Sequence, residues 1–440
     1  MAGEDWTLRT VEELKAPTNG AIAIGPFGSR MKSDCYVPAG VPVIRGNNIG
    51  DTRTLIGEFV YITPELADQL GNAIVHADDL VFPHRGAIGQ IGIVPRNSTE
   101  RYALSSSLMK LTCDRSQVDP LFIFYYFRST DGQHELLKNA STVGTPGIGQ
   151  PLSSLRSIKI PLPPLPEQKA IAAILGALDD KIELNRRMNA TLESMARALF
   201  QSWFVDFDPV RAKADGRQPS GLDADTAALF PDSFESSDIG TIPKGWQRYN
   251  LREIADILSG GTPKKDNKSL WQGDIPWISP KSMTHIHVED SDEHVSVAAI
   301  GNGTRQVPNG TTLVMVRGMG LHQGVRISQA QRDVTFNQDV KAIVAKSIPS
   351  TLLFYGCLHA APMLLSKVHS SGHGTGVLST EFLDGLEFVM PPKVICEHLT
   401  EPLIALNSRI SANSRQSRIL AALRDSLLPK LLSGEVRVVP

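Results

Sequence analysis

Cysteine, a basic surplus and long apolar runs are all scarce in this chain. Four cysteines, Cys35, Cys113, Cys357 and Cys396, are spread over 440 residues and form no Cys-x-x-Cys pair. Buried thiols in a reducing compartment are therefore expected, rather than disulfides or a zinc cluster. Basic and acidic residues number 44 and 46, a formal net charge of −2. No global positive field advertises a nucleic-acid partner, although local patches or a partner subunit can supply one. The opening MAGEDWTLRTVEEL has no basic segment followed by an apolar one, and no apolar run reaches the ~20 residues that span a bilayer. A soluble, cytoplasmic protein without a membrane partner is expected.

Catalytic signatures are missing as well. Without a GxxxxGK[ST] phosphate loop, nucleotide hydrolysis by this chain is not expected. No Asn/Asp-Pro-Pro-Tyr/Phe tetrapeptide of the amino-methyltransferase type occurs. The double prolines Pro163-Pro164 and Pro391-Pro392 precede helices and lack the polar and aromatic partners of such a site. His285 and His287, with Asp290 nearby, could suggest a metal site, but the pair has the period of a solvated strand face, and no HExxH appears. Gly86, Gly89 and Gly92 lack the strand–GxGxxG–helix context of a dinucleotide site. Nothing pairs a nucleophile with a base. A non-enzymatic role is favoured.

What is present is a repeat. The stretch PLPPLPEQKAIAAILGALDDKIELNRRMNATLESMARALFQSWF (161–204) places apolar residues every seven positions. Ile171, Leu178, Leu192 and Leu199 form one row, and Leu175, Ile182, Ala196 and Trp203 the other, the seam of a coiled coil. Asn185 and Asn189 interrupt it near the middle. The pattern returns at the C-terminus: Leu406, Ile410, Asn413, Leu420 and Leu427 each lie 228 positions after Leu178, Ile182, Asn185, Leu192 and Leu199 (406 − 178 = 228). Two unrelated amphipathic helices would not share such an offset. Pro429 stands where the first copy has Gln201, which predicts that the second helix ends or kinks earlier.

At 440 residues the chain is too long for one core. Residues 1–160 read as a strand-rich head, with β-prone runs at Val41–Arg45, Asp79–Phe82, Gly89–Val94 and Ser107–Thr112 and a helix over Leu121–Lys138. Residues 161–205 form the first arm. Residues 206–245 are polar, with one apolar run at Ala227–Phe230, and read as a partly ordered connector. A second head (246–390) repeats the plan of the first, and a second arm (391–440) closes the chain. An ideal helix from Ile171 to Phe204 is ~51 Å long, enough to act as a ruler between segments of DNA.

Loops combining glycine with cations are the candidate contacts. GPFGSRMK (25–32) offers backbone amides with Arg30 and Lys32, and SGGTPKK (259–265) does so with Thr262, Lys264 and Lys265. Such loops approach phosphate closely, though an ordinary exposed turn has the same composition. Arg45, Asn47 and Asn48 follow a β-prone run, and Arg85 and Arg317 each precede a glycine at a strand end. Arginine and asparagine suit guanine and adenine edges; a structural salt bridge is the competing reading. Thr145 and Thr375, in the glycine-rich loops at 144–149 and 372–376, and Lys281 complete the set of candidate DNA contacts.

The run PLPPLPEQKAIAAIL…LDDKIELNRRMN…LESMARALFQSWFVDFDPVRAKADG resembles the central region of specificity subunits of type I restriction–modification systems. FPDSF (230–234) and GTIPKGW (240–246) resemble the approach to that family's second recognition domain, and SGGTP (259–263) its opening loop. The resemblance covers the whole chain, and is strong in the arms and weaker in the heads. It implies an α+β fold of two target recognition domains alternating with two long helices that pair antiparallel about a pseudo-two-fold axis. It also implies a non-catalytic subunit reading a bipartite site on double-stranded DNA. The helices then set the gap and dock two adenine-methylating modification subunits, and restriction subunits complete an ATP-dependent nuclease. S-adenosylmethionine, ATP and magnesium belong on those partners, with no cofactor or metal in this chain. A self-contained methyltransferase and a coiled-coil scaffold without a DNA role are the alternatives. Under antiparallel pairing Asn185 and Asn413 are expected near the axis, fixing register at some cost in stability.

Overall fold

The computed structural model describes residues 6–438, apart from 28–29, 51, 54, 96–100, 239 and the His373 side chain. Two helices dominate it, Leu165–Phe204 and Lys393–Leu432, of 40 residues each. Their ends obey the repeat offset (393 − 165 = 228; 432 − 204 = 228). The second helix thus does not stop or break before Pro429. That proline falls in the final turn, where losing one N–H leaves only the Asp425 carbonyl without its intrahelical bond.

The chain divides into two compact units, residues 1–185 with 416–440 and residues 186–415, so each unit holds one head and half of each arm. In the first unit, the strands Ile22–Ile24, Leu108–Leu111, Leu80–Pro83 and Gly92–Ile93 form one sheet in that order. Val60–Ile62, Val41–Ile44, Tyr102–Leu104 and Ile74–Val75 form a second. The predicted strand over Gly89–Val94 is reduced to Gly92–Ile93. The predicted helix over Leu121–Lys138 is two helices, Pro120–Arg128 and Thr130–Leu137. Ser129 separates them in an extended conformation, its hydroxyl accepting from Gly132 N at 3.2 Å to cap the second.

The second unit repeats this plan. Ala255–Ser259, Val340–Ala345, Thr312–Met315, Ile327–Ala330 and His287–Val288 form a five-stranded sheet. His294–Val295, Ile275–Ile278, Val334–Phe336 and Arg305–Val307 form a four-stranded one. Each head opens on a strand and one-turn helix with a capping box, Thr10–Glu13 in one and Asn250–Glu253 in the other. These opening strands pair antiparallel with Lys159–Leu162 and Glu387–Met390, the strands that lead into the arms.

The segment at 206–245, expected as a partly ordered connector, packs into the second core through Phe207, Val210 and Phe230. It contains the helices Asp208–Ala214 and Ala224–Ala228 and a hairpin of Phe234–Ser237 with Gly240–Pro243. Phe207 and Phe230 are buried against Trp246, with ring centroids at 5.7 and 6.4 Å. These aromatics lie far apart in sequence, so local composition does not reveal the packing. Cys113, Cys357 and Cys396 are buried and Cys35 is half-buried; all four are free thiols. Burial pushes the Cys357 thiol up to about 12, which keeps it inert.

The arm seams pack as the heptads require. In the first unit Ile171 and Leu175 share one core with Leu427 and Leu431 and with the head. In the second, Ala196, Leu199 and Trp203 share one with Leu399, Leu403 and Leu406. Leu178, Ile182, Leu192 and Leu420 are half-buried, and Ile410 is buried. The asparagines point into the pairing and are bonded. Asn185 Nδ2 donates to Gln416 Oε1 (2.9 Å) and Ser417 Oγ (3.2 Å) within the first unit. Within the second, Asn413 Nδ2 donates to Asn189 Oδ1 at 2.9 Å, and Asn189 Nδ2 to Ser414 Oγ at 3.0 Å. The offset of 228 turns Asn185–Ser417 into Asn413–Asn189, so each unit carries one copy of a single contact.

Candidate nucleic-acid interface

In the first head, short links gather the predicted loops at the ends of four strands. Val43–Ile44 runs parallel to Ala103–Leu104, and Ser105 N donates to Ile44 O at 2.9 Å, setting Arg45 beside Ser105. His84 N donates to Ser107 O at 2.9 Å, and the His84 ring meets Ser106 O at 3.0 Å. Because a carbonyl oxygen only accepts, Nε2–H is the donor, and burial, opposed by that bond and reinforced by the Arg85 charge, holds His84 below its ordinary 6.5. Gly25 lies so close that a Cβ there would sit 1.9 Å from Ser105 O. Arg85 bridges Gly147, and Gly86 N donates to Pro146 O at 2.8 Å. Gly86 has φ +83°, which a side chain would strain.

The second head builds the same cluster. Asn337 N donates to Ile278 O at 2.9 Å and Val316 N to Asp339 O at 2.8 Å, the counterparts of the Ser105 and His84 bonds. Gly260 crowds the Phe336 and Asn337 carbonyls, where a Cβ would meet oxygens at 2.3 and 2.4 Å. Arg317 and Gly318 pair with Val377 and Gly376. The two arginine loops and the two glycine-rich loops, read separately from the sequence, are thus joined in each head.

The candidates differ in how free they are. Arg30, Lys32, Asn47, Arg85 and Thr145 are exposed in the first head, as are Thr262, Lys264, Lys281 and Arg317 in the second. Gly28 and Ser29 of the first loop lie outside the described residues. Arg45 is half-buried and already used, its Nη2 donating to Glu58 O at 3.2 Å. Asn48 is buried and braces the same loop through Ile56 O at 2.8 Å, a structural task. Lys265 pairs with Glu293 and stands 3.5 Å from the centroid of the Trp271 ring, so its charge is partly satisfied. Thr375 is half-buried, with its hydroxyl 3.9 Å from Met319 Sδ.

Sequence reading missed the segment to which the loops attach, Ser105–Ser107 in one head and Asn337–Asp339 in the other. The signal was a shared spacing: Arg317 follows Arg85 by 232 positions, and Asn337 follows Ser105 by 232. It also took His287 for a solvated residue. His287 is half-buried instead, its Nε2 2.7 Å from Asn407 Oδ1, and Asn407 Nδ2 donates to Gln329 Oε1 at 2.7 Å. Among the described residues no group of three or more His, Cys, Asp and Glu side chains is placed to hold a metal ion, and no helix is long and apolar enough to cross a membrane.

Comparison with known proteins agrees with the duplicated architecture. The type I restriction modification DNA specificity domain matches twice, over residues 28–194 and 243–401. The chain is 28% identical to the type I restriction enzyme HindI specificity subunit of Haemophilus influenzae, over 84% of this chain and 89% of that one. It is 23% identical to the MjaIX specificity subunit of Methanocaldococcus jannaschii, over 99% and 94%. The S subunit of the type-I restriction-modification system from M. genitalium shares the fold, with a TM-score of 0.56 at 16% identity, covering 98% of this chain and 97% of the other. With the domain present twice over most of its length, the chain belongs to the type I restriction modification DNA specificity family.

Proposed function

We propose that the chain is the sequence-reading, non-catalytic subunit of a type I restriction–modification complex. Each head reads one half of a bipartite site on double-stranded DNA, and the arms set the gap between the halves. The observation that carries this reading is the loop cluster built twice, with an exposed arginine, Arg85 or Arg317, beside a glycine-rich strand end in each head. Arginine at such an edge suits bidentate contact with guanine, and nearby backbone amides suit phosphate.

The arms' exposed faces supply the docking sites for two modification subunits that methylate adenine N6. Met195 and Leu423, equivalent under the offset of 228, are 52% and 45% exposed in their respective units. The seam from Ile171 to Leu199 and from Leu406 to Leu427, buried or half-buried along its length, serves intrachain pairing. S-adenosylmethionine, ATP and magnesium act on the modification and restriction subunits, in the cytoplasm.

Reconstitution tests the reading. With modification subunits, the complex binds and methylates one bipartite sequence, and binding weakens steeply as salt rises. The pure chain, incubated with labelled methyl donor and mixed DNA, transfers nothing. Methylation by the chain alone would show a self-contained methyltransferase, and binding indifferent to DNA would leave only a scaffold.

A further inference from the structure

One exposed polar side chain stands at the middle of the segment that anchors each cluster, Ser106 in the first head and Gln338 in the second. The two are equivalent by position (338 − 106 = 232) and by the matching backbone bonds of their neighbours. Gln338 is held. The Thr262 hydroxyl donates to its Oε1 at 2.7 Å, and Thr262 belongs to the turn that Gly260 presses onto the Phe336 and Asn337 carbonyls. Beneath it Asn337 is buried, and its Oδ1 accepts from Asp339 N at 3.1 Å, which fixes the backbone on either side.

An amide fixed in this way presents a planar fork with a second lone pair on Oε1 and two N–H donors on Nε2. That pattern complements the N6 donor and N7 acceptor of adenine in the major groove. Ordering a glutamine costs rotamer entropy, and the Thr262 bond meets part of that cost before DNA arrives. Ser106 has a single hydroxyl and cannot form the same fork.

We propose that Gln338, oriented by Thr262, determines specificity in the second head by reading the edge of one adenine in its half-site. This rests on the DNA-reading function proposed above. The test uses the reconstituted complex and a set of duplexes, each with one base pair of the bipartite site changed. In Gln338→Ala, discrimination falls by about 5- to 150-fold at one A·T pair of the second half-site and nowhere in the first. Thr262→Val lowers discrimination at that same pair by a smaller factor. If Gln338→Ala keeps full discrimination everywhere while Arg317→Ala loses it in the second half-site, the glutamine assignment is wrong and DNA reading stands. A loss confined to a G·C pair overturns the adenine assignment. A wild-type complex without base preference removes the DNA-reading function itself.

Discussion

Asp179 and Arg424 pair inside the first unit, with Nη1 and Oδ1 2.7 Å apart and side chains 7% and 14% exposed. Tyr125 Oη donates to the other carboxylate oxygen at 2.7 Å. Their counterparts under the repeat are Asn407 and Ala196, so the second copy has dropped both charges together. A buried ion that loses its partner is destabilising, whereas removing both ions need not be. Asp179→Asn alone leaves Arg424 with only the exposed Asp425, 2.8 Å away, and is expected to cost about 1–3 kcal/mol. The double variant Asp179→Asn with Arg424→Ala should recover most of it in denaturant unfolding. Additive losses would contradict the account. Lys265 allows a second prediction at this scale. Its charge is shared with Glu293 and Trp271, so Lys265→Ala should change the salt dependence of DNA binding less than Lys264→Ala does. Equal slopes would show that DNA draws Lys265 out of its cage. His287 supplies a third. Burial, opposed by the Asn407 bond and the Glu193 charge, lowers its pKa from 6.5. Its contribution to stability is therefore present above 6.5 and is lost as the pH falls through the folded value. Melting temperatures between pH 7.5 and 5 should fall further for the wild type than for His287→Gln; parallel curves would rule this out.

At the scale of elements, the arms were the most legible part of the chain because a heptad is a local signal. Their matched ends at 165 and 393, and at 204 and 432, follow from one offset. What the heptads did not reveal is that the outer turns pack into the heads, because those partners come from distant strands. The packing of the Asp206–Gly245 segment was not legible for the same reason: Phe207 and Phe230 are held by Trp246, beyond the segment's own end. The polar layer carries a prediction. A buried asparagine at a seam position specifies register at some cost in stability. Replacing Asn185 and Asn413 by leucine should leave the melting temperature unchanged or higher while producing mixed oligomers in native mass spectrometry. A single monomeric species with full activity would show that the layer does not select the pairing.

For the molecule as a whole, duplication was readable in the arms and only in outline in the heads. Arg85 and Arg317 were found because an arginine before a strand-end glycine is visible locally. Ser106 and Gln338 were not, because their position depends on the parallel pairing of Val43–Ile44 with Ala103–Leu104 and of Trp277–Ile278 with Thr335–Phe336, strands far apart in the chain. The central claim is that each head reads its own half of one bipartite site. Its most direct test is the methylation pattern of cells carrying the chain with its modification subunits, compared with Arg85→Gln and Arg317→Gln variants. The account predicts a motif of two short halves around a fixed gap, with Arg85→Gln relaxing one half and Arg317→Gln only the other. A contiguous motif, or a change in both halves from either substitution, would contradict it.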